Sequence, residues 1–255
     1  MKTIRLETVD STNTFAKRYL KEHSLPSCED GRLVVIAREQ TAGRGRIGKT
    51  FSSLKDNGLY MTLVLPVGKR PEECLLLTPA AAEAVWEVLA EAGCGDLGIK
   101  WVNDILDRDL RKVCGILTEA VTDIESGIMT HAVIGVGVNV RTDLSRLPGS
   151  LRNIAGTVSP SCSPEELAGR IAERITACAG DVLGNGKQRI LTAYEEHMIL
   201  TGRTVTWEQD GKTLSGTVQG ITPEAHLLVG TAEGIRELDS GMVSIAYRQD
   251  TKENV

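Results

Sequence analysis

A chain of 255 residues is long enough for one large domain, or for one with a small companion. Its 41% hydrophobic and 25% charged content describe a globular protein, and its net charge of −5 counts against general nucleic-acid binding, which shows as a basic domain. No apolar run reaches membrane-spanning length, and the start Met1-Lys2-Thr3-Ile4 lacks the apolar stretch of a signal peptide.

Six scattered cysteines (Cys28, Cys74, Cys94, Cys114, Cys162 and Cys178) show no C-x-x-C spacing and read as reduced thiols of a cytoplasmic protein. The four histidines form no ligand cluster, so no structural metal is expected.

Ser11 is placed to cap a helix running to about residue 21, with Phe15, Ala16, Tyr19 and Leu20 on one face. Residues 33–37 and 59–65 are apolar, β-rich runs. Residues 71–92 read as a helix that Pro79 breaks or kinks, with Gly93 as its stop. Residues 99–106, 113–120 and 132–140 are three strands joined by turns too short for parallel crossovers. Ser163-Pro164-Glu165-Glu166 has the form of a capping box opening a helix to about residue 183. Gly184-Asn185-Gly186 ends it, and another helix follows to about residue 198. Five short strands, 205–208, 214–221, 227–230, 235–238 and 243–247, then describe a small β-barrel. Its size predicts that it packs on the rest of the chain, and the polar residues 248–255 are expected to fray.

The segment Thr41-Ala42-Gly43-Arg44-Gly45-Arg46-Ile47-Gly48-Lys49-Thr50 holds three glycines and three cations. Such glycines let a backbone approach a ligand and aim its amides at it. Such cations repel one another until an anion sits among them, so the segment calls for phosphate and is expected to order over it. It fits the P-loop pattern from Gly43 to Thr50, but a P-loop opens a helix. Here a turn-like stretch and the β-rich run at 59–65 follow instead, so that reading fails.

Five motifs in order carry a resemblance. They are Asp10-Ser11-Thr12-Asn13, Gln40-Thr41-Ala42-Gly43-Arg44-Gly45-Arg46, Lys100-Trp101-Val102-Asn103-Asp104, Lys112-Val113-Cys114-Gly115-Ile116-Leu117 and Ile134-Gly135-Val136-Gly137-Val138-Asn139. With the small terminal barrel, the chain resembles the biotin protein ligases over nearly its whole length, in the form without an N-terminal DNA-binding domain.

The resemblance implies an α+β fold. A mixed, largely antiparallel sheet flanked by helices, like that of class II aminoacyl-tRNA synthetases, would span residues 1–198, and an SH3-like barrel residues 201–248. It implies an ATP-dependent ligase that converts biotin to biotinyl-5′-AMP and passes biotin to a lysine of a carboxyl carrier protein, as in acetyl-CoA carboxylase. Magnesium would accompany ATP. A monomer or homodimer that binds neither DNA nor membrane is expected.

By family position Lys112, Arg44 and Arg46 would be catalytic. The biotin site would comprise Ser11, Thr12, Asn13, Gln40, Arg44, Gly45, Arg46, Lys112, Gly115, Ile116, Gly135 and Val138. Arg46, Phe51, Lys100, Asn103 and Asn139 would meet the nucleotide, and Asp104 is the Mg²⁺ candidate. Hydroxyls and amides at Ser11, Thr12, Asn13 and Gln40 also match the ureido ring's acceptor and donors. Two residues depart from the family: Val102 where proline is usual, and Phe51 where tryptophan is common. Two other readings stand beside this one: a lipoate or octanoate ligase or transferase of the same fold, and a non-catalytic nucleotide-binding protein.

Overall fold

The computed structural model describes residues 1–23, 31–46, 48–239 and 243–245. Cys28, Ile47 and the terminal residues expected to fray lie outside the described residues.

Twelve strands among the described residues form two sheets. The larger runs β1-β2-β3-β7-β6-β5-β4. Its strands are β1 (Lys2–Val9), β2 (Leu33–Gln40), β3 (Leu59–Lys69), β4 (Leu97–Lys100), β5 (Asp104–Asp107), β6 (Lys112–Thr122) and β7 (Met129–Val138). Only β1 and β2 pair in parallel; every other ladder in this sheet is antiparallel. Period-two alternation decides which side chains face which layer. Leu33, Val35, Val64 and Val133 meet Ala16 of helix α1 (Thr12–Glu22). Val34, Leu63 and Ile134 join the core beneath α2 (Leu77–Glu91) and α4 (Pro164–Leu183). Short α3 (Gly149–Arg152) follows β7, and α5 (Lys187–His197) packs on α2.

The second sheet is antiparallel, in the order β11-β10-β9-β8-β12. It comprises β8 (Thr204–Gln209), β9 (Lys212–Ile221), β10 (Leu227–Thr231), β11 (Gly234–Leu238) and β12 (Ser244–Ile245). Val205, Trp207, Val218 and Leu227 belong to the same apolar cluster as the large sheet's core, so this small unit does pack on the rest. The Trp101 indole Nε1 donates to the Ala225 carbonyl at 2.8 Å across that junction.

The α+β class holds, and so do the Ser11 and Ser163 caps, whose hydroxyls accept from the Thr14 and Glu166 amides. Three expectations change. The helix predicted over 71–92 is a 3-10 turn (Pro71–Cys74) followed by α2, so the break precedes Pro79. Pro79 itself lies in the first turn of α2, where a missing N–H costs nothing. The strand predicted over 99–106 is the hairpin β4–β5, turned at Trp101-Val102-Asn103. Asn103 holds that turn to β6: its carbonyl accepts from the Ile116 amide at 2.9 Å, and its Nδ2 donates to the Ile116 carbonyl at 2.8 Å. The peptide between Trp101 and Val102 is cis. No described helix is long and apolar enough to cross a membrane.

Candidate active site

The N-terminus of α1, the end of β2, the glycine-arginine segment, the β4–β5 turn and strands β6 and β7 converge on a cavity of about 360 Å³. Val243 and Ser244 of the small sheet complete its wall. Five cations line it, Arg44, Arg46, Lys49, Lys100 and Lys112, against one carboxylate, Asp104. Like charges gathered this closely favour an anionic occupant.

The floor is glycine. Gly115 on β6 stands opposite Gly137 on β7, and Leu117 opposite Gly135. A Cβ at Gly137 would come within 2.5 Å of the Phe51 ring, and one at Gly135 would overlap the Asn13 carboxamide oxygen. Their bare backbones let the ring and the amide approach the sheet closely. Phe51 meets Tyr60 edge-on, and Lys112 Nζ stands 5.9 Å from the Phe51 ring centroid.

Within the segment expected to order over a ligand, backbone pairings join residues 43–45 to residues 49–51. Gly45 N donates to the Lys49 carbonyl at 2.7 Å, Phe51 N donates to the Gly43 carbonyl at 2.9 Å, and Arg44 bridges Thr50. Arg46 Nη1 donates to Asn103 Oδ1 at 3.1 Å, and Arg44 pairs with Glu119 at 3.3 Å. Burial lowers the Arg46 pKa, opposed by Asp104. Burial likewise lowers the Lys100 pKa; Asp104 opposes the shift and Lys112 adds to it. Lys112 Nζ lies 2.7 Å from Asp104 Oδ1.

The inner end is polar but partly committed. Gln40 Oε1 accepts from Thr12 N at 2.8 Å and from its hydroxyl at 3.1 Å, while Gln40 Nε2 donates to Ser53 Oγ at 2.7 Å. Asn13 uses its whole amide: Nδ2 donates to the Leu117 carbonyl and to Glu119, and Oδ1 accepts from Thr62 at 2.6 Å. Asn13 thus lines the cavity with both amide protons already engaged. Ser11 Oγ accepts from Thr14 N at a long 3.5 Å, a bond that leaves the hydroxyl proton uncommitted.

Of the residues expected here, Ser11, Thr12, Asn13, Gln40, Arg44, Gly45, Arg46, Phe51, Lys100, Asn103, Asp104, Lys112, Gly115, Ile116 and Gly135 line the cavity. Val138 and Asn139 do not. Val138 is fully buried in the core, as the alternation from Gly137 requires. Asn139 Nδ2 donates to the Lys112 and Gly156 carbonyls at 3.1 and 2.9 Å, so it braces the strand that bears Lys112. Nine lining residues were not among those expected: Lys49, Thr50, Met61, Trp101, Leu117, Val136, Gly137, Val243 and Ser244. The period-two rule applied from Gly115 would have found Leu117.

Asp104, the Mg²⁺ candidate, lines the cavity beside Lys112. Its Oδ1 is ion-paired with Lys112, and among the described residues no three His, Cys, Asp or Glu gather to hold a metal.

Comparison with known proteins agrees with this geometry. The family model "Biotin/lipoate A/B protein ligase family" matches residues 6–139, and "Biotin protein ligase C terminal domain" matches residues 200–245. The chain is 31% identical over 220 residues to the bifunctional ligase/repressor BirA of Bacillus subtilis, covering 83% of this chain and 66% of that protein. It is 37% identical over 166 residues to the biotin--[acetyl-CoA-carboxylase] ligase of Paracoccus denitrificans, covering 62% of this chain and 59% of that protein. It therefore spans less than two thirds of the length of either relative. The biotin protein ligase from Aquifex aeolicus, solved in complex with biotin and ATP, superimposes with a TM-score of 0.76 at 26% identity, over 96% of this chain and 98% of that one. The two family matches, with a superposition that covers nearly all of the Aquifex chain, place the chain in the biotin/lipoate A/B protein ligase family, among the biotin protein ligases.

Proposed function

We propose that the chain joins biotin to a lysine of a biotin carboxyl carrier domain in two steps. In the first, a biotin carboxylate oxygen attacks the α-phosphorus of MgATP. The α–β phosphoanhydride bond breaks, and pyrophosphate leaves. In the second, the acceptor amine attacks the acyl carbon of biotinyl-5′-AMP. The bond to AMP breaks, and the amine nitrogen loses its proton.

The observation that carries this reading is the excess of cations over a glycine floor. Transfer of this kind needs charge placed around the phosphate more than it needs a protein nucleophile. Lys112 and Arg46 are assigned to the α-phosphate and Arg44 to the carboxylate, since guanidinium forks suit both groups. Lys100 adds charge, Phe51 faces adenine, and Ser11, Thr12 and Gln40 face the ureido ring. Mg²⁺ stays with the phosphates, and the work is assigned to the cytoplasm. Residues 1–198 are assigned to catalysis and 201–248 to the accessory barrel. The polar inner wall and the terminal-domain match support biotin over lipoate.

The test incubates purified chain with MgATP and either biotin or lipoate. Mass spectrometry should find biotinyl-AMP and, with a carrier domain present, one added biotin. Lipoyl-AMP without biotinyl-AMP would overturn the assignment, and neither product would leave a nucleotide-binding protein.

A further inference from the structure

Behind the cavity wall lies a carboxylate on which three elements converge. Glu119, on β6, does not line the cavity. Its Oε1 lies 2.8 Å from Lys17 Nζ of α1 and 3.3 Å from Arg44 Nη1. Its Oε2 accepts from Asn13 Nδ2 at 2.9 Å. Asn13 is in turn fixed by Thr62 on β3 and by the Leu117 carbonyl on β6. The Glu119 side chain is 18% exposed, whereas that of Arg44 is 48% exposed. One end of the contact is therefore rigid and the other free to move.

We infer that Glu119 is a positioning residue: through its ion pair it holds Arg44, and with it the glycine-arginine hairpin, over the cavity. Lys17 and Asn13 keep the carboxylate aimed. Burial works against its charge, yet hydrogen bonds from Lys17 and Asn13 and the charges of Lys17 and Arg44 keep its pKa below the usual glutamate value. A long arginine ordered before the ligand arrives loses less freedom on binding. A negative group behind Arg44 also tempers its repulsion by Arg46. The catalytic half of this inference rests on the proposed function; the tether itself does not.

The experiment has two arms. In the first, ligand-free wild type, Glu119→Gln and Lys17→Met are digested with trypsin, and cutting after Arg46 and Lys49 is followed. Cutting reports the population of opened hairpin, and Glu119→Gln should speed it about fivefold. Lys17→Met leaves the Arg44 pair in place and should stay within about twofold. In the second arm, Glu119→Gln should raise the biotin KM about tenfold with little change in kcat. In an Arg44→Ala background the same substitution should add nothing.

Unchanged cutting, or a Glu119→Gln penalty undiminished in the Arg44→Ala background, would overturn the inference. So would a Lys17→Met effect on cutting equal to that of Glu119→Gln, since Glu119 would then only cement α1. Faster cutting in a protein that makes no biotinyl-AMP would support the tether and defeat the functional reading alone.

Discussion

Lys112 at the start of β6 and Asp104 at the start of β5 form an ion pair, Nζ to Oδ1 2.7 Å, at the edge of the glycine floor. The pair keeps the ammonium extended beside the Phe51 ring. In the proposed reaction its charge is then available as the α-phosphate gains negative charge.

Lys112→Ala should slow adenylate formation about a hundredfold, about 3 kcal/mol, as loss of one preorganised donor does. The melting temperature should change little, because the side chain is 36% exposed. Exposed Arg111→Ala is the control and should retain the rate. Single-turnover kinetics at saturating ATP and biotin decide it; equal rates for wild type and Lys112→Ala would move the reacting centre to Arg46 or Lys100.

Lys100 couples stability to pH. Burial, with Lys112 adding and Asp104 opposing, lowers its pKa from 10.5. A base lowered on folding opposes folding while protonated, so stability rises as pH climbs through the folded value toward 10.5. Lys100→Met should raise the melting temperature at pH 7, abolish that alkaline rise and slow adenylate formation. Thermal melts from pH 7 to 10.5 provide the check, and a destabilised Lys100→Met at pH 7 would contradict it.

Two of the floor glycines, Gly135 and Gly137, should fail differently. Gly135→Ala forces Asn13 from a buried site whose polar groups are all paired, and should cost about 1–3 kcal/mol of stability. Gly137→Ala meets only the half-buried Phe51 ring, which can swing. It should spare the fold and weaken adenylate binding. Chemical denaturation and calorimetric titration of the two variants separate these outcomes, and a matched loss of stability in both would refute the distinction.

Trp101→Phe removes the donor to the Ala225 carbonyl at the junction of the two sheets. A buried carbonyl left unpaired costs about 1–3 kcal/mol. Denaturant midpoints should fall accordingly, with a larger share of the loss at the small sheet in amide exchange. Unaltered exchange there would show that the apolar contacts alone hold the junction.

Local chemistry was readable along the chain. Ser11 and Ser163 announced their helices through short polar side chains ahead of apolar periodicity, and the small sheet's strands through turn signals. The motifs named most of the cavity because each sits on one short stretch. What escaped was set between stretches. Pro79 looks disruptive until the preceding 3-10 turn makes it a first-turn residue. Asn139 looks like a ligand residue until its amide is seen to reach the Lys112 and Gly156 carbonyls. Glu119 is one charge among many in sequence, and only the fold brings Lys17, Asn13 and Arg44 to it. Strand β1 could have been read from Ile4 and Leu6, which alternate with polar residues.

Val243 and Ser244 are the last residues in chain order to reach the cavity, whose other lining residues all lie between Ser11 and Gly137. Chains emerge from the ribosome N-terminus first, and their early portions fold first. The large sheet and its helices can thus assemble while one side of the cavity is still open to water. A chain without the small sheet has the cations but not the enclosure, and the mixed anhydride of the proposed reaction would meet solvent there. Ordering the wall last makes synthesis of the small sheet a condition for enclosing whatever the cations hold.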